Sequence, residues 1–341
     1  MIKKDFWLNS KVAVIGGGSW GTVLTHQVSQ NVSEVFLWVR SETRARNINS
    51  TRVNRDYFPE LVLKENVKAL SDIERVFENQ VNLIVWALPS SVTRFMAKKM
   101  APFLTGDEIV IHVSKGVEIE SLKRVSQVLE EELPVKRIGV LSGPNLAKEM
   151  AQAEPAATVV ASLFPEVVVA GQQVFTSDKF RVYPGTDIVG VEWAGALKNV
   201  LAIAAGCLDA LGLGWNARSL LLSRGLVEMV RFGVEMGARQ ETFLGLAGMG
   251  DLLATCSSPL SRNFRVGKQL AEGKKIDDII QELGSTAEGV RTTQIVHDFA
   301  LRRNIEMPIT TGVYELIRGK MNANEVLGSL MKSPLSTDLF C

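Results

Sequence analysis

One lysine in this sequence sits where a charge is hard to place. Lys198 lies inside the apolar stretch 188–208, with Ala194 and Ala202 four residues away and Gly195 and Leu201 three away. On a helix those four surround it, small enough to leave space above an ammonium and apolar enough to strip its water. Desolvation lowers a lysine pKa towards the range of a general base. A buried charge without a task is costly. Either Lys198 does proton chemistry, or it snorkels to the surface or pairs with a carboxylate.

Other polar residues could serve the same chemistry. Lys115, in Ser114-Lys115-Gly116 after a β-rich run, either holds a substrate oxygen or phosphate or is a surface lysine in a turn. The glycine-rich run 245–250 leads into Asp251, with Thr255 one turn on. Asp251 is either a helix cap or an acceptor for a substrate hydroxyl or for Lys198. Ser261-Arg262-Asn263, just after Pro259, offers a guanidinium fork, a hydroxyl and an amide, the donors a phosphate dianion wants. Ser142-Gly143-Pro144-Asn145 follows a strand, and Pro144 suits a first helical position, so its backbone donors and Asn145 either meet a ligand or simply cap. Ala287-Glu288-Gly289 places an acid in a turn before a helix, where capping is the plain alternative.

The glycines supply a second chemistry. The strand 11–15 runs into Gly16-Gly17-Gly18-Ser19-Trp20-Gly21, and a helical pattern follows over 22–28. A bare G-x-G-x-x-G is weak evidence, but the strand–turn–helix context makes it a dinucleotide fingerprint. Gly16 permits the tight turn, Gly18 close approach to a pyrophosphate, and Gly21 close helix–strand packing. The helix N-terminus presents free N–H groups to phosphate. At the end of the second strand an NAD-selective site usually carries Asp or Glu. This chain has Arg40 there, then Arg44 and Arg46, which favours NADP(H) with NAD(H) tolerated. The alternative for Arg44 and Arg46 is a solvated basic turn. The turn Ala87-Leu88-Pro89-Ser90 also follows a strand, and little rests on it.

These groups need a scaffold. Strand signals cover 11–15, 34–39, 83–87, 108–113, 137–141 and 158–161, with helical spacing between them, as over 91–101 and 122–133. That alternation predicts an α/β domain, a doubly wound Rossmann-type parallel sheet over residues 1–186. From 187 to 341 strand signals almost vanish. Helices are expected over 187–210, 217–236, 264–272, 276–281, 291–302, 308–318 and 323–330, an all-α domain for substrate and catalysis. The cleft between two such domains is the default place for a substrate.

Composition narrows the class. Among 341 residues, 46% hydrophobic, 38 are basic and 37 acidic. Near-neutrality argues against a general binder of nucleic acid or membrane surfaces. The three cysteines, Cys207, Cys256 and Cys341, match no metal-ligand spacing and no disulfide framework, and fit a reducing, cytoplasmic setting. No metal site is expected. The apolar stretch 188–208 contains Glu192, Lys198 and Asn199, so a buried core helix is expected rather than a membrane span.

With those residues in view, the sequence resembles the NAD(P)-dependent glycerol-3-phosphate dehydrogenases of the bacterial type over nearly its whole length. The marks are the run 16–22 with its Ser19-Trp20-Gly21, Ser114-Lys115-Gly116, Ser142-Gly143-Pro144, Gly195-Ala196-Leu197-Lys198-Asn199, Gly248 to Asp251 with Thr255-Cys256, Ser261-Arg262-Asn263, and Glu288-Gly289. The resemblance implies that Lys198 accepts the proton when the alcohol is oxidised, with Lys115 and Asp251 holding the oxygens in line. It implies that Lys115, Gly143, Asn145, Asp251, Ser261, Arg262 and Asn263 surround glycerol phosphate. It implies that Ser19, Trp20, Arg40, Lys115, Ala147, Arg262 and Glu288 touch the dinucleotide. The expected reaction is hydride transfer between dihydroxyacetone phosphate and sn-glycerol 3-phosphate, supplying the phospholipid backbone, in a Rossmann-plus-helical homodimer. Asn145 stands where the family usually has Ser or Thr, Leu146 where Phe is usual, and Thr286 where an apolar residue is commoner.

Two other readings fit the same residues. A hydroxy-acid dehydrogenase of the same architecture would use Arg262 and Asn263 on a carboxylate. A non-catalytic NADP-sensing module would bind cofactor without turnover, because fold alone never proves activity.

Overall fold

The computed structural model describes residues 4–283 and 287–332; Thr286 and Cys341 lie outside them. The described residues fall into two compact units, one from residues up to 114 together with 123–188, the other from 115–122 together with 189 onward. The segment that begins at Lys115 therefore groups with the helical unit, although it follows a strand of the first.

The first unit opens with α1 (Lys4–Leu8) and continues β1 (Lys11–Ile15), α2 (Ser19–Val28), β2 (Glu34–Trp38), α3 (Glu42–Thr51), β3 (Val67–Leu70), α4 (Ile73–Phe77) and β4 (Leu83–Trp86). It ends with α5 (Thr93–Met100), β5 (Ile109–His112), α6 (Val125–Glu132), β6 (Arg137–Ser142), α7 (Ala147–Ala151), β7 (Ala156–Ser162), α8 (Pro165–Phe175) and β8 (Phe180–Gly185). The strands form one sheet in the order β3-β2-β1-β4-β5-β6-β7-β8. Both faces are covered. Along β1, Val12 and Val14 join one apolar cluster while Ala13 and Ile15 join the other, as a period of two requires. Each fully buried Val or Ile contributes about 1.5–3 kcal/mol to this arrangement.

Three features depart from the sequence reading. Strand β7 runs antiparallel to β6, so the sheet is mostly rather than wholly parallel. Strands β3 and β8 went undetected. They are the two edge strands, and only alternate residues are buried, Val67 and Ala69 in β3, Phe180 and Val182 in β8. Pro144 does not open a helix: α7 starts at Ala147, with Leu146 in the cap position.

The second unit is helical: α9 (Ile188–Ala210), α10 (Trp215–Glu235), α11 (Asp251–Ser257), α12 (Arg262–Ala271), α13 (Ile276–Leu283), α14 (Glu288–Arg303), α15 (Pro308–Ile317) and α16 (Ala323–Lys332). Helix α9 is the one described helix long and apolar enough to cross a membrane, and 89% of its apolar window is buried. It is a core helix, as expected. Apolar side chains from α9, α10, α11 and α12 meet in one cluster around Leu197, Leu201, Phe232, Leu252 and Phe264.

Sheet order reverses between β1 and β4, and ligands of open α/β sheets bind outside the carboxyl ends of strands at that point. The glycine turn leaves β1 there. Gly16 takes φ +118°, open to glycine alone, and a methyl group on Gly21 would sit 1.8 Å from the Gly16 carbonyl oxygen. That clash is with backbone, so no side-chain rotation relieves it. Gly21→Ala should therefore destabilise the first unit by about 2–3 kcal/mol, seen as a fall of roughly 5–10 °C in its thermal midpoint. An unchanged midpoint would mean the turn is looser than it looks.

Candidate active site

Within the first unit the glycine turn presents an open cradle. A Cβ added at Gly18 would meet nothing within 4 Å, and α2 begins at Ser19 with no side chain capping its N-terminal N–H groups. Unsatisfied donors, a helix dipole and empty space above a glycine are what a pyrophosphate needs. The residues present fit a dinucleotide. Ser19 and Trp20 lie in the first turn of α2, and Trp20 packs partly against the apolar cluster beneath.

The basic residues after β2 divide. Ser41 caps α3, its hydroxyl accepting from the Arg44 backbone N–H at 3.3 Å. Arg44 pairs with Asp56 at 2.5 Å and lies over the Tyr57 ring. Arg46 pairs with Glu42 at 3.6 Å. Both tend the protein's own acids, which also relieves the tension between basic residues and a helix N-terminus. Arg40 is exposed, and no described residue pairs with it.

The loop after β6 is inward-looking. Gly143 packs on the backbone of Thr158. The Asn145 amide meets the Thr158 hydroxyl at 2.9 Å. Oriented to satisfy both ends, its Nδ2 donates to the carbonyls of Ala157 and Pro144, and its Oδ1 accepts from Thr158. Asn in place of the usual Ser or Thr thus ties the loop to β7. Ala147 is the first residue of α7 and half-buried.

The second unit gathers the rest around one carboxylate. Asp251, buried at the start of α11, accepts from Lys198 Nζ at 2.5 Å on Oδ1 and from Lys115 Nζ at 2.6 Å on Oδ2. Thr255 completes the group: its hydroxyl accepts from Lys198 at 2.6 Å and donates to Asp251 at 3.3 Å. Lys198 is only 4% exposed. It does not snorkel; it is paired, and shares its partner with a second lysine. Burial pushes its amine down from 10.5 to about 8, the Asp251 charge opposes that, and the neighbouring Lys115 charge adds to it. Asp251 is neither exposed nor a cap, because its two oxygens face the two ammonium groups. Cys256, next in line, is held as an unreactive thiol, burial raising it to about 12.

Hydrogen bonds and close packing link the remaining motif residues. Asn199 Nδ2 donates to the Lys115 carbonyl at 3.3 Å. Asn263 Oδ1 accepts from the Gly289 N–H at 3.1 Å. Gly289 has no room for a side chain, since a Cβ would lie 2.7 Å from the Asn199 carbonyl. The starts of α12 and α14 therefore meet the middle of α9. Ser261 is the cap of α12, its Oγ accepting from the Phe264 N–H at 3.3 Å, and Arg262 and Asn263 open that helix. Glu288 likewise opens α14 rather than preceding it. Sequence reasoning placed Thr255 one turn on from Asp251 but gave neither Thr255 nor Asn199 a role or a partner. Thr255, four residues from Asp251 on one helix face, carried a readable signal; the partner of Asn199, 84 residues away, left none.

A dinucleotide-binding domain joined in one chain to a helical domain carrying a desolvated amine defines a nicotinamide-dependent oxidoreductase acting on a CH–OH group. The family signature described as NAD-dependent glycerol-3-phosphate dehydrogenase N-terminus matches residues 11–167, and its C-terminus counterpart matches 187–328. The chain is 43% identical over 328 residues to glycerol-3-phosphate dehydrogenase [NAD(P)+] of Saccharophagus degradans, covering 96% of this chain and 91% of the other. Its fold is similar to the crystal structure of glycerol-3-phosphate dehydrogenase from Coxiella burnetii, with TM-score 0.90 and 33% identity over 96% of this chain and all of that one. It is similar also to the Saccharomyces cerevisiae enzyme, with TM-score 0.84 and 28% identity over 95% of this chain and all of that one. The chain belongs to the NAD-dependent glycerol-3-phosphate dehydrogenase family.

The lysine array has a direct spectroscopic signature. In protein labelled at lysine Cε and Nζ, one resonance should titrate near 8, two units or more below ordinary lysine. It should vanish in Lys198→Met and move to lower pH in Asp251→Asn, because the anion that favours the ammonium is gone. A spectrum in which every lysine titrates above 10 would contradict the assignment.

Proposed function

We propose that the chain interconverts dihydroxyacetone phosphate and sn-glycerol 3-phosphate with Lys198 as the proton carrier. The observation that carries this reading is the buried Lys198 amine, brought to about 8 by desolvation beside a carboxylate it shares with Lys115. The bound nicotinamide of NAD(H) or NADP(H) supplies or accepts the hydride. In the oxidation direction the neutral amine takes the proton of the C2 hydroxyl. In reduction the ammonium returns a proton to the alkoxide oxygen as C2 becomes tetrahedral. An amine near 8 runs both directions at neutral pH, since neither protonation state is far away. Asp251 keeps Lys198 and Lys115 aimed, and Lys115 adds positive charge beside the developing alkoxide.

The phosphate has a natural seat at the start of α12. Ser261 and Asn263 use acceptor oxygens in their internal hydrogen bonds, which leaves the hydroxyl proton and the amide hydrogens to donate. Arg262 brings a guanidinium to the same helix N-terminus. Remote grip of this kind fixes the reacting carbon. In the first unit Gly16, Gly18, Ser19, Trp20 and Gly21 form the pyrophosphate cradle. Arg40, exposed and without a partner among the described residues, is the residue for a 2′-phosphate, which makes NADP(H) the preferred cofactor. The same reading sends the product to glycerophospholipid backbones and places the enzyme in the cytoplasm as a homodimer; the unbridged thiols of Cys207 and Cys256 are in keeping with a reducing compartment.

Three comparisons test this. NADPH oxidation should proceed with dihydroxyacetone phosphate and collapse with unphosphorylated dihydroxyacetone, while Lys198→Ala should lose about 100-fold or more in turnover with NADPH affinity nearly unchanged. Turnover comparable to the parent in Lys198→Ala would remove the amine from the mechanism, and equal use of the unphosphorylated ketone would remove the phosphate seat. Arg40→Ala should weaken NADPH about tenfold and leave NADH untouched, as loss of one charge-assisted contact implies; equal loss for both cofactors would contradict the 2′-phosphate role.

A further inference from the structure

We infer that Asn54, outside every motif discussed above, is the residue that aims the pyrophosphate-binding N–H groups of the glycine turn. Asn54 is 1% exposed. Its Nδ2 donates to the Gly17 carbonyl at 3.0 Å and to the Thr22 hydroxyl at 2.8 Å. The Thr22 hydroxyl in turn donates to the Gly18 carbonyl at 2.8 Å, which also receives the Thr22 backbone N–H at 2.9 Å. One buried amide thus holds the carbonyls of two successive residues in the turn, the first directly and the second through a hydroxyl relay.

The consequence follows from peptide geometry. In a planar trans peptide the C=O and the N–H point to opposite sides. Drawing the Gly17 carbonyl inward to Asn54 turns the Gly18 N–H outward. Drawing the Gly18 carbonyl down the axis of α2 turns the Ser19 N–H out of its N-terminus. The turn is also open at Gly18, where an added Cβ meets nothing within 4 Å. Glycine permits many orientations of these peptides, so something must select the one that serves a phosphate. Asn54 does so.

The amide orientation is unambiguous, because the Gly17 carbonyl can only accept. Its Oδ1 is buried with no partner among the described residues. Its place is also secured. Arg52 ends α3 in a left-handed conformation, Val53 bridges to Val62, the Leu63 N–H returns to the Arg52 carbonyl at 2.8 Å, and the Asn54 carbonyl accepts from Tyr57 and Phe58. The same loop carries Asp56 and Tyr57, which hold Arg44. Asn54 is a positioning residue, acting on the cofactor through the turn.

The test is binding, measured without turnover. Calorimetry with NADPH, NADH and ADP-ribose, which share the pyrophosphate, should show all three weakened about tenfold or more in Asn54→Leu, the loss expected when a charge-assisted hydrogen bond is misaimed. The thermal midpoint should fall by only a few degrees, since the Gly17 carbonyl and the Thr22 hydroxyl each lose a donor. At saturating NADPH, kcat and the KM for dihydroxyacetone phosphate should stay within about twofold of the parent. Unchanged affinity in the folded variant overturns the inference, as does a loss of affinity accompanied by an equal loss of kcat at saturating NADPH, the mark of a merely structural residue. Should Asn54→Leu not fold, Thr22→Val cuts the relay while Thr22→Ser keeps it: weaker binding in the first alone supports the inference, and equal binding in both overturns it.

Discussion

The second unit is organised around a single buried carboxylate that answers to two lysines. A lone ammonium in the apolar middle of α9 would be expelled or neutralised. Asp251 lets it stay, and the second lysine prevents the pair from settling into a neutral, inert ion pair. Lys198 is consequently neither a fixed cation nor a free amine. Its proton is held by Asp251 and Thr255 and pushed off by burial and by Lys115, a balance that a proton carrier at neutral pH requires.

That balance makes demands on everything nearby. Helix α9 must be apolar enough to dry the site, and it is long and apolar enough to cross a membrane although it is buried. Helix α11 must begin at Asp251 and present Thr255 one turn later. Asn199, beside Lys198 in sequence, ties down the chain at Lys115, and Gly289 must stay small for α14 to reach the same place. In the first unit the constraint is different. There a buried asparagine and a threonine hold the carbonyls of two successive peptides in the glycine turn.

Much of this was legible from sequence, for identifiable reasons. Lys198 declared itself because a charge among Ala and Gly at helical spacing violates burial rules. The glycine turn was readable because each glycine answers a separate steric demand, as Gly16 and Gly21 bear out in their contacts. Edge strands β3 and β8 were not readable, since a strand paired on one side needs only alternate apolar residues. The antiparallel β7 hid because direction leaves no periodicity. Arg44 and Arg46 read as an extension of the Arg40 site, whereas Asp56 and Glu42 claim them. Asn54 gave no warning at all, because its partners lie 37 and 32 residues away and an asparagine near a helix end ordinarily means a turn.

The central claim concerns one proton on one amine, and the pH dependence of kcat/KM in both directions tests it most directly. Oxidation of sn-glycerol 3-phosphate should rise with pH through an ionisation at about 8, and reduction of dihydroxyacetone phosphate should fall through the same ionisation, because the neutral amine serves the first and the ammonium the second. Profiles that are flat across that range in both directions, or that bend the same way in both, would show that Lys198 does not carry the proton.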